Sequence, residues 1–543
     1  MSEATQEIEW QFSALDTRPV ARWLESGALP GISVEPAGTA TLDDTYFDTP
    51  DWRIHRARYT CRLRRKDGTA ELTLKAMAEA EGGIRSRREI TAALTGPEAD
   101  PLAAPGRAGD ALRAVCGRQP LQPLFRLVTT RTTYHVADGE GPLAEVALDE
   151  TAIPLEGEEP ARLTRVEVEV APGALDRVRP FVDAMVAACS LGPATTAKFE
   201  AALVATGLRP PPAPDFGPEA VDPSMTAGQV AYAVLRKQFR VFLANEPGTR
   251  LGEDIEALHD MRVATRRLRA AMAAFRPYLS PRLLAFRDQF GWVARALGEV
   301  RDLDVQLERM EEWRAGFPPE RAHTLDAIEA LLQRRRDAAR RRMLQALDSR
   351  RYERLCDRFA AALCAGPPRS FAPGRVPILA VAPDLVERRY RTVRRLGDRI
   401  KKSSPPDAYH LLRIEAKKLR YALEFVGNGI YGRPALDFSA RVTALQDVLG
   451  LHQDAYVAIE MLEELAESAG RRLEPATLMA MGILAERYRQ SAAELRARFP
   501  AVYKGITGPE WKRLLKLMEA QRPVPAPAAA SPKAAPARRG DRS

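Results

Sequence analysis

Cysteine is scarce: Cys61, Cys116, Cys189, Cys356 and Cys364 are the only five in 543 residues, and none forms a Cys-x-x-Cys pair. Neither a disulfide framework nor a thiolate metal site is therefore expected. No run of 18 apolar residues occurs, and Met1 to Trp10 lacks the basic-then-apolar order of a secretion signal. The expectation is a chain without membrane partners in a reduced cytoplasmic setting. The sequence also has no Gly-x-x-x-x-Gly-Lys phosphate loop and no serine or cysteine nucleophile elbow, which sets aside two common routes to phosphate and acyl chemistry. Aromatic residues make up only 7% of the chain, and Tyr409 and Tyr421 are the ones nearest its main basic stretches. That scarcity argues against base stacking and so against nucleic acid as a partner.

What is present is charge, unevenly placed. Residues 1–224 hold 24 Lys+Arg against 34 Asp+Glu, whereas residues 225–520 hold 52 against 37. An acidic half joined to a basic half points to a different ligand for each. The boundary is Pro-rich, over 208–224, and reads as a semi-extended linker. Domains are expected at 1–207 and 225–520, with a disordered Pro/Ala-rich basic tail over 521–543.

The basic half contains a duplication. His-Asp-Met-Arg-Val-Ala-Thr-Arg-Arg-Leu-Arg at 259–269 returns as His-Leu-Leu-Arg-Ile-Glu-Ala-Lys-Lys-Leu-Arg at 410–420, an offset of 151. Leu297-Gly298 and Asp302 return as Leu449-Gly450 and Asp454, at offset 152. On a helix, His259, Arg262, Arg266 and Arg269 share one face beside an apolar stripe of Leu258, Met261, Leu268 and Met272. Like charges on one face repel, and a bound anion relieves them. Two copies of the pattern favour anion binding over a merely solvated face. No second histidine follows at i+4 in either copy, so the histidines are poor candidates for metal ligands. Helical periodicity runs from 226 to 520, in two repeats of about 225–375 and 376–520, and predicts an all-α domain of duplicated helical bundles.

The acidic half reads as strands at 41–48, 57–66, 69–77, 84–92, 124–136, 142–150 and 161–170, after an opening strand at 6–12. Helices are expected at 17–29 and 174–189. Period-two alternation places Glu7, Glu9 and Gln11 on one strand face, Arg62 and Arg64 on another, and then Arg87 with Glu89, Glu145 with Asp149, and Glu167 with Glu169. So many strands carrying both signs of charge fit a closed barrel with a charged lumen. Arginine and lysine there suit phosphate oxygens, and paired carboxylates suit Mg²⁺ or Mn²⁺.

The ordered set Glu7-x-Glu9, Tyr46-Phe47-Asp48-Thr49, Arg62-Leu63-Arg64, Leu72-Thr73-Leu74-Lys75, Arg87-x-Glu89, Glu145-x-x-x-Asp149, Glu167-x-Glu169 and Lys198 resembles a CYTH domain, the triphosphate tunnel metalloenzyme family. The resemblance implies an eight-stranded antiparallel β tunnel barrel with flanking helices, and hence a multidomain α+β protein. It implies metal-dependent hydrolysis of a triphosphate, inorganic triphosphate first, with Glu7 and Glu9 catalytic. The metal, Mg²⁺ or Mn²⁺, would be held by Glu7, Glu9, Asp149, Glu167 and Glu169. The triphosphate would be held by Arg62, Arg64, Lys75, Arg87, Arg126 and Lys198. The family's opening motif is Glu-x-Glu-x-Lys, and Gln11 stands here in place of the lysine.

The basic half resembles the CHAD domain. That resemblance implies binding of inorganic polyphosphate by His259, Arg262, Arg266, Arg267, Arg269, His410, Arg413, Lys417, Lys418 and Arg420, and an association with polyphosphate granules. The alternative expectation is a non-catalytic polyphosphate-binding protein whose barrel only senses a phosphate ligand.

Overall fold

The computed structural model describes residues 5–26, 29–66, 68–78, 83–96, 99–469 and 473–523. Most of the tail expected over 521–543 lies outside them; Arg522 is inside and pairs with Asp384 at 2.9 Å.

The N-terminal half is one curved antiparallel sheet. Its strands are β1 (Thr5–Ser13), β2 (Ile32–Asp48), β3 (Tyr59–Lys66), β4 (Thr69–Ala76), β5 (Ile84–Thr95), β6 (Gln122–Asp138), β7 (Gly141–Ile153), β8 (Ala161–Val170) and β9 (Gly192–Pro193). They follow the order β5-β4-β3-β2-β6-β7-β8-β1-β9, with a further pairing of β1 to β5. The expected eight-stranded barrel is therefore corrected to a nine-stranded sheet without a continuous closing seam. β1 ladders with β5 over Thr5–Trp10 and with β8 over Glu9–Ser13, so only Glu9 and Trp10 are paired on both sides. Past that point the two-residue β9 takes over beside Phe12 and Ser13.

Alternation along the strands puts charge on the concave side and apolar residues on the convex side, where helices cover them. Trp10 and Phe12 on β1 and Val166 and Val168 on β8 pack with Phe181, Val182 and Met185 of the helix Leu175–Cys189. Cys61, Leu72, Leu74 and Ile90 pack with Ala108, Leu112 and Val115 of the helix Gly106–Cys116. A β-carbon on Gly109 would lie 1.7 Å from the Ala104 carbonyl oxygen; glycine is what lets this helix seat so closely.

The second half is helical throughout, as the periodicity predicts. Two of its longest helices are Phe286–Ala315 and Arg433–Ala469. The Leu-Gly pairs sit inside these helices rather than ending them. The two halves also touch. Glu253, whose side chain is 5% exposed, accepts hydrogen bonds from Nε and Nη2 of Arg107 and pairs with Arg88 of β5 at 3.2 Å. Leu251 of the helix Ala227–Leu251 is buried in the same apolar cluster as Cys61 and Leu112.

Candidate functional site

The concave side of the sheet encloses a cavity of about 260 Å³, lined by carboxylates and cations in alternation. Register explains the lattice. Glu7 lies opposite Arg87 and Glu9 opposite Arg85 across β1 and β5. Glu9 faces Glu169 and Gln11 faces Glu167 across β1 and β8, while Glu145 faces Glu169 across β7 and β8. Because every other residue of each strand points inward, one register fixes the whole lining.

Within the cavity the charges are cross-paired. Glu167 takes Arg131 at 2.6 Å and Lys198 at 3.0 Å, and accepts from the Gln11 amide nitrogen at 3.2 Å. Asp149, with no exposed side-chain surface, takes the same Arg131 and Lys198. Glu9 is held by Arg87, and Glu7 by Lys75. Arg64 forks onto Asp44 with two bonds of 2.8 Å. Burial alone would raise the Glu167 carboxyl, but Lys198, Arg131 and Lys75 hold it well below the usual range. Glu169 goes the other way, raised by burial and by the neighbouring charges of Glu7 and Glu145.

Of the residues expected to bind triphosphate, Arg62, Arg64, Lys75, Arg87 and Lys198 line the cavity. Arg126 does not: it is 57% exposed and forks onto Asp43. It has the opposite parity to Arg131, which lines the cavity and was not among the expected residues. Counting by twos from the Asp149 partner on β6 finds Arg131, since the two are register neighbours. Arg85, Glu89 and Glu145 also line the cavity.

Of the expected metal ligands, Asp149 and Glu167 are occupied by buried cations, whereas Glu169 makes no ion pair among the described residues, and neither does Glu145, which was not among the expected ligands. Hard carboxylate oxygens crowded against one another suit Mg²⁺ or Mn²⁺, and Glu7 and Glu145 add to the burial that raises the Glu169 carboxyl. In chemistry, then, the donor set fits a divalent cation. No group of three or more His, Cys, Asp or Glu among the described residues is arranged to hold a metal ion with the side chains as they stand; Lys75 and Arg87 occupy Glu7 and Glu9. Gln11 sits between Glu9 and Glu167 and donates to both, at 2.9 and 3.2 Å; its own oxygen is buried without a partner among the described residues.

In the helical half the two basic motifs face each other, one on the helix Ile255–Ala274 and the other on Pro406–Tyr431. Arg266 donates to the Tyr421 hydroxyl at 2.8 Å and Arg267 pairs with Glu424 at 3.0 Å, both across the repeats. Arg420 reaches the same Glu424 at 3.4 Å. Arg262 pairs with Asp302 at 3.0 Å, and its equivalent Arg413 lies 4.0 Å from Asp454. Gly298 and Gly450 lie directly beneath these arginines: a β-carbon there would be in ordinary contact, 3.7 and 3.9 Å from the respective guanidinium Nε. The duplicated Leu-Gly-x-x-x-Asp element is thus the seat of the duplicated arginine. His410 contacts Gln453 at 2.6 Å. Burial and the nearby Arg301 lower the His259 imidazole. Arg269 and Lys417 have no carboxylate partner among the described residues, and Lys418 turns outward to Glu415. Burial, then Arg413 and Arg266, push the Lys417 amine down to about 7.

Comparison with known proteins agrees with both halves. A CYTH domain model matches residues 7–188, and a CHAD domain model matches residues 233–463. The chain is a CYTH domain followed by a CHAD domain. That architecture points to the triphosphate tunnel metalloenzyme superfamily. Uncharacterized protein MT2285 of Mycobacterium tuberculosis (strain CDC 1551 / Oshkosh) is 27% identical over 491 residues, covering 85% of this chain and 89% of that protein. The CHAD domain from the plant Ricinus communis is 28% identical, with a TM-score of 0.45, covering 53% of this chain and 94% of that structure. PptA from Streptomyces chartreusis is 23% identical, with a TM-score of 0.41, covering 52% and 100%. Among the described residues no helix is long and apolar enough to cross a membrane.

Proposed function

We propose that the N-terminal domain hydrolyses a triphosphate, inorganic triphosphate foremost, and that the helical domain binds inorganic polyphosphate and brings the enzyme to it. The observation that carries this reading is the single cavity in which Arg62, Arg64, Lys75, Arg87, Arg131 and Lys198 alternate with glutamates. A condensed phosphate needs several fixed cations on its oxygens. Its arrival would exchange carboxylate partners for phosphate ones, freeing Glu7 and Glu9 from Lys75 and Arg87. Glu7, Glu9 and Glu169 would then hold Mg²⁺ or Mn²⁺, which when bound neutralises phosphate oxygens and acts as a Lewis acid. Glu145, beside Glu169, offers a carboxylate to accept a proton from attacking water.

The test is phosphate release from inorganic triphosphate with Mg²⁺ or Mn²⁺, comparing the native chain with Glu7→Ala/Glu9→Ala. We expect metal-dependent turnover that falls about 100-fold or more in the double variant. Absence of turnover in the native chain, with triphosphate still bound, would overturn hydrolysis.

A second reading, a phosphate-sensing domain without turnover, is favoured by Gln11, whose neutral amide lies between two glutamates. Here Gln11→Lys is decisive. A lysine would meet two carboxylates and remove the orphaned amide oxygen, so a rise in turnover in this variant assigns the missing charge to position 11. An unchanged rate removes Gln11 as the explanation.

A further inference from the structure

The duplication relates more than the basic motifs. At the same offset of 151, Leu243, Glu246, Pro247 and Arg250 line one cavity of the helical half, and Arg394, Gly397, Asp398 and Lys401 line another. The first lies where the N-terminal domain docks: Arg53, Arg56 and Arg118 reach into it, and Arg56 donates to the Leu243 carbonyl at 3.4 Å. Its own cation is neutralised, since Arg250 pairs with Glu246 at 2.7 Å and Asp348 at 2.5 Å.

The second cavity, about 500 Å³, has no such compensation. Gly397 stands where Glu246 stands in the first. Lys401, Lys402 and Lys504 are exposed on its rim and have no carboxylate partner among the described residues. Its one acid, Asp398, is taken by Arg394 at 3.2 Å and by the Tyr503 hydroxyl at 2.7 Å. Arg496 is half-buried, yet its hydrogen-bond partners are neutral: His452 Nε2 at 3.1 Å and the Tyr456 hydroxyl at 2.8 Å. The Tyr409 ring packs beside it, 5.3 Å from ring centre to guanidinium. Burial and Arg496 itself push the His452 imidazole down to about 4, so it adds no charge near neutrality. Arg496, fixed by neutral groups, thus shares one concavity with three ammonium groups that have no carboxylate partner among the described residues.

We infer that this cavity, between the end of the helix Ile378–Gly397, the segment 398–405 and the end of the helix Pro475–Ile506, binds a compact anion carrying two or more phosphate groups. None of its lining residues belongs to the ten of the facing basic motifs. It is a separate site, and it does not depend on hydrolysis in the N-terminal domain. The concave shape suits a short, dense anion such as a diphosphate group, whether free or at the end of a larger molecule. Several charge-assisted contacts converge there without any extended track.

The test uses the full chain with inorganic pyrophosphate, read by hydrogen–deuterium exchange in segment 398–404, which forms one wall of this cavity and precedes the helix that carries the second basic motif. Sodium sulfate at matched ionic strength is the control. Protection by pyrophosphate but not by sulfate is expected in the native chain and in Arg266→Glu/Lys417→Glu. Lys402→Glu/Lys504→Glu, which changes only exposed side chains, is expected to need about tenfold or more pyrophosphate for the same protection. Three results would each overturn the site: no protection in this segment, equal protection by sulfate, or equal protection in Lys402→Glu/Lys504→Glu. Pyrophosphate against ADP at equal concentration then separates a free diphosphate from one carried on a larger molecule.

Discussion

Glu167→Ala is expected to cost the N-terminal domain about 3–5 kcal/mol of stability, the range for removing one partner from a buried ion cluster. The Glu167 side chain is 12% exposed and is shared by Arg131 and Lys198, which are themselves 18% and 14% exposed. Without it, two cations compete for Asp149 alone, and the Gln11 amide loses one of its two acceptors. The same cluster sets an acid limit. Lys198 and Arg131 hold the Glu167 carboxyl below its unfolded value of about 4.3. Its contribution is therefore complete above that value and is lost as pH falls through the lower, folded one. Hydrogen exchange at the amides of β7 and β8 measures both effects. A loss under about 1 kcal/mol would show that Asp149 alone satisfies the two cations.

The second large effect concerns Lys417. Its amine lies at about 7, lowered by burial and by Arg413 and Arg266, with Arg420 adding to the repulsion and Asp454 opposing it. Near neutrality the basic groove therefore holds a lysine that is half discharged until an anion arrives. Binding of long-chain polyphosphate is expected to be coupled to proton uptake and to weaken about tenfold from pH 6 to pH 8. Lys417→Arg, charged at every pH in that range, should flatten the profile. His259 is lowered from its usual value by burial and by Arg301, and proton uptake there on anion binding carries the same sign. In the ligand-free chain the linkage runs the other way. Lys417 binds its proton more tightly when unfolded, so its contribution to stability grows as pH rises from about 7 toward 10.4. A pH-independent affinity in the native chain would refute the role given to Lys417.

The alternation along the strands made the charged concave face legible, because a period of two assigns every inward residue once one is known. Arg126 shows how the same rule fails when the wrong parity is chosen: one residue of slip exchanges the inside for the outside. The long β2 was legible only over its second half. Pro36 and Gly38 fall within its first half, and the sheet absorbs them as a register shift opposite Tyr134 and Thr133. The helix Gly106–Cys116 carries two glycines, which hide it from propensity, although Gly109 is what its packing requires. How the sheet meets itself at β1 depends on strand offset, and no local pattern encodes that. In the helical half the duplication located both basic faces. Their convergence through Arg266–Tyr421 and Arg267–Glu424 is a tertiary fact that no single repeat contains.

The burial of Leu251 among the side chains of the sheet domain has a consequence for the order of synthesis. The strands leave the ribosome first, yet the cluster around Cys61, Leu72 and Leu112 is not complete until residue 251 has followed. The nascent sheet therefore has an open apolar seam until the first long helix of the next domain is made. Glu253, two residues further on, then closes that seam by drawing Arg88 and Arg107 onto one carboxylate. Fusion of the two domains in one chain thus ties completion of the first to synthesis of the second.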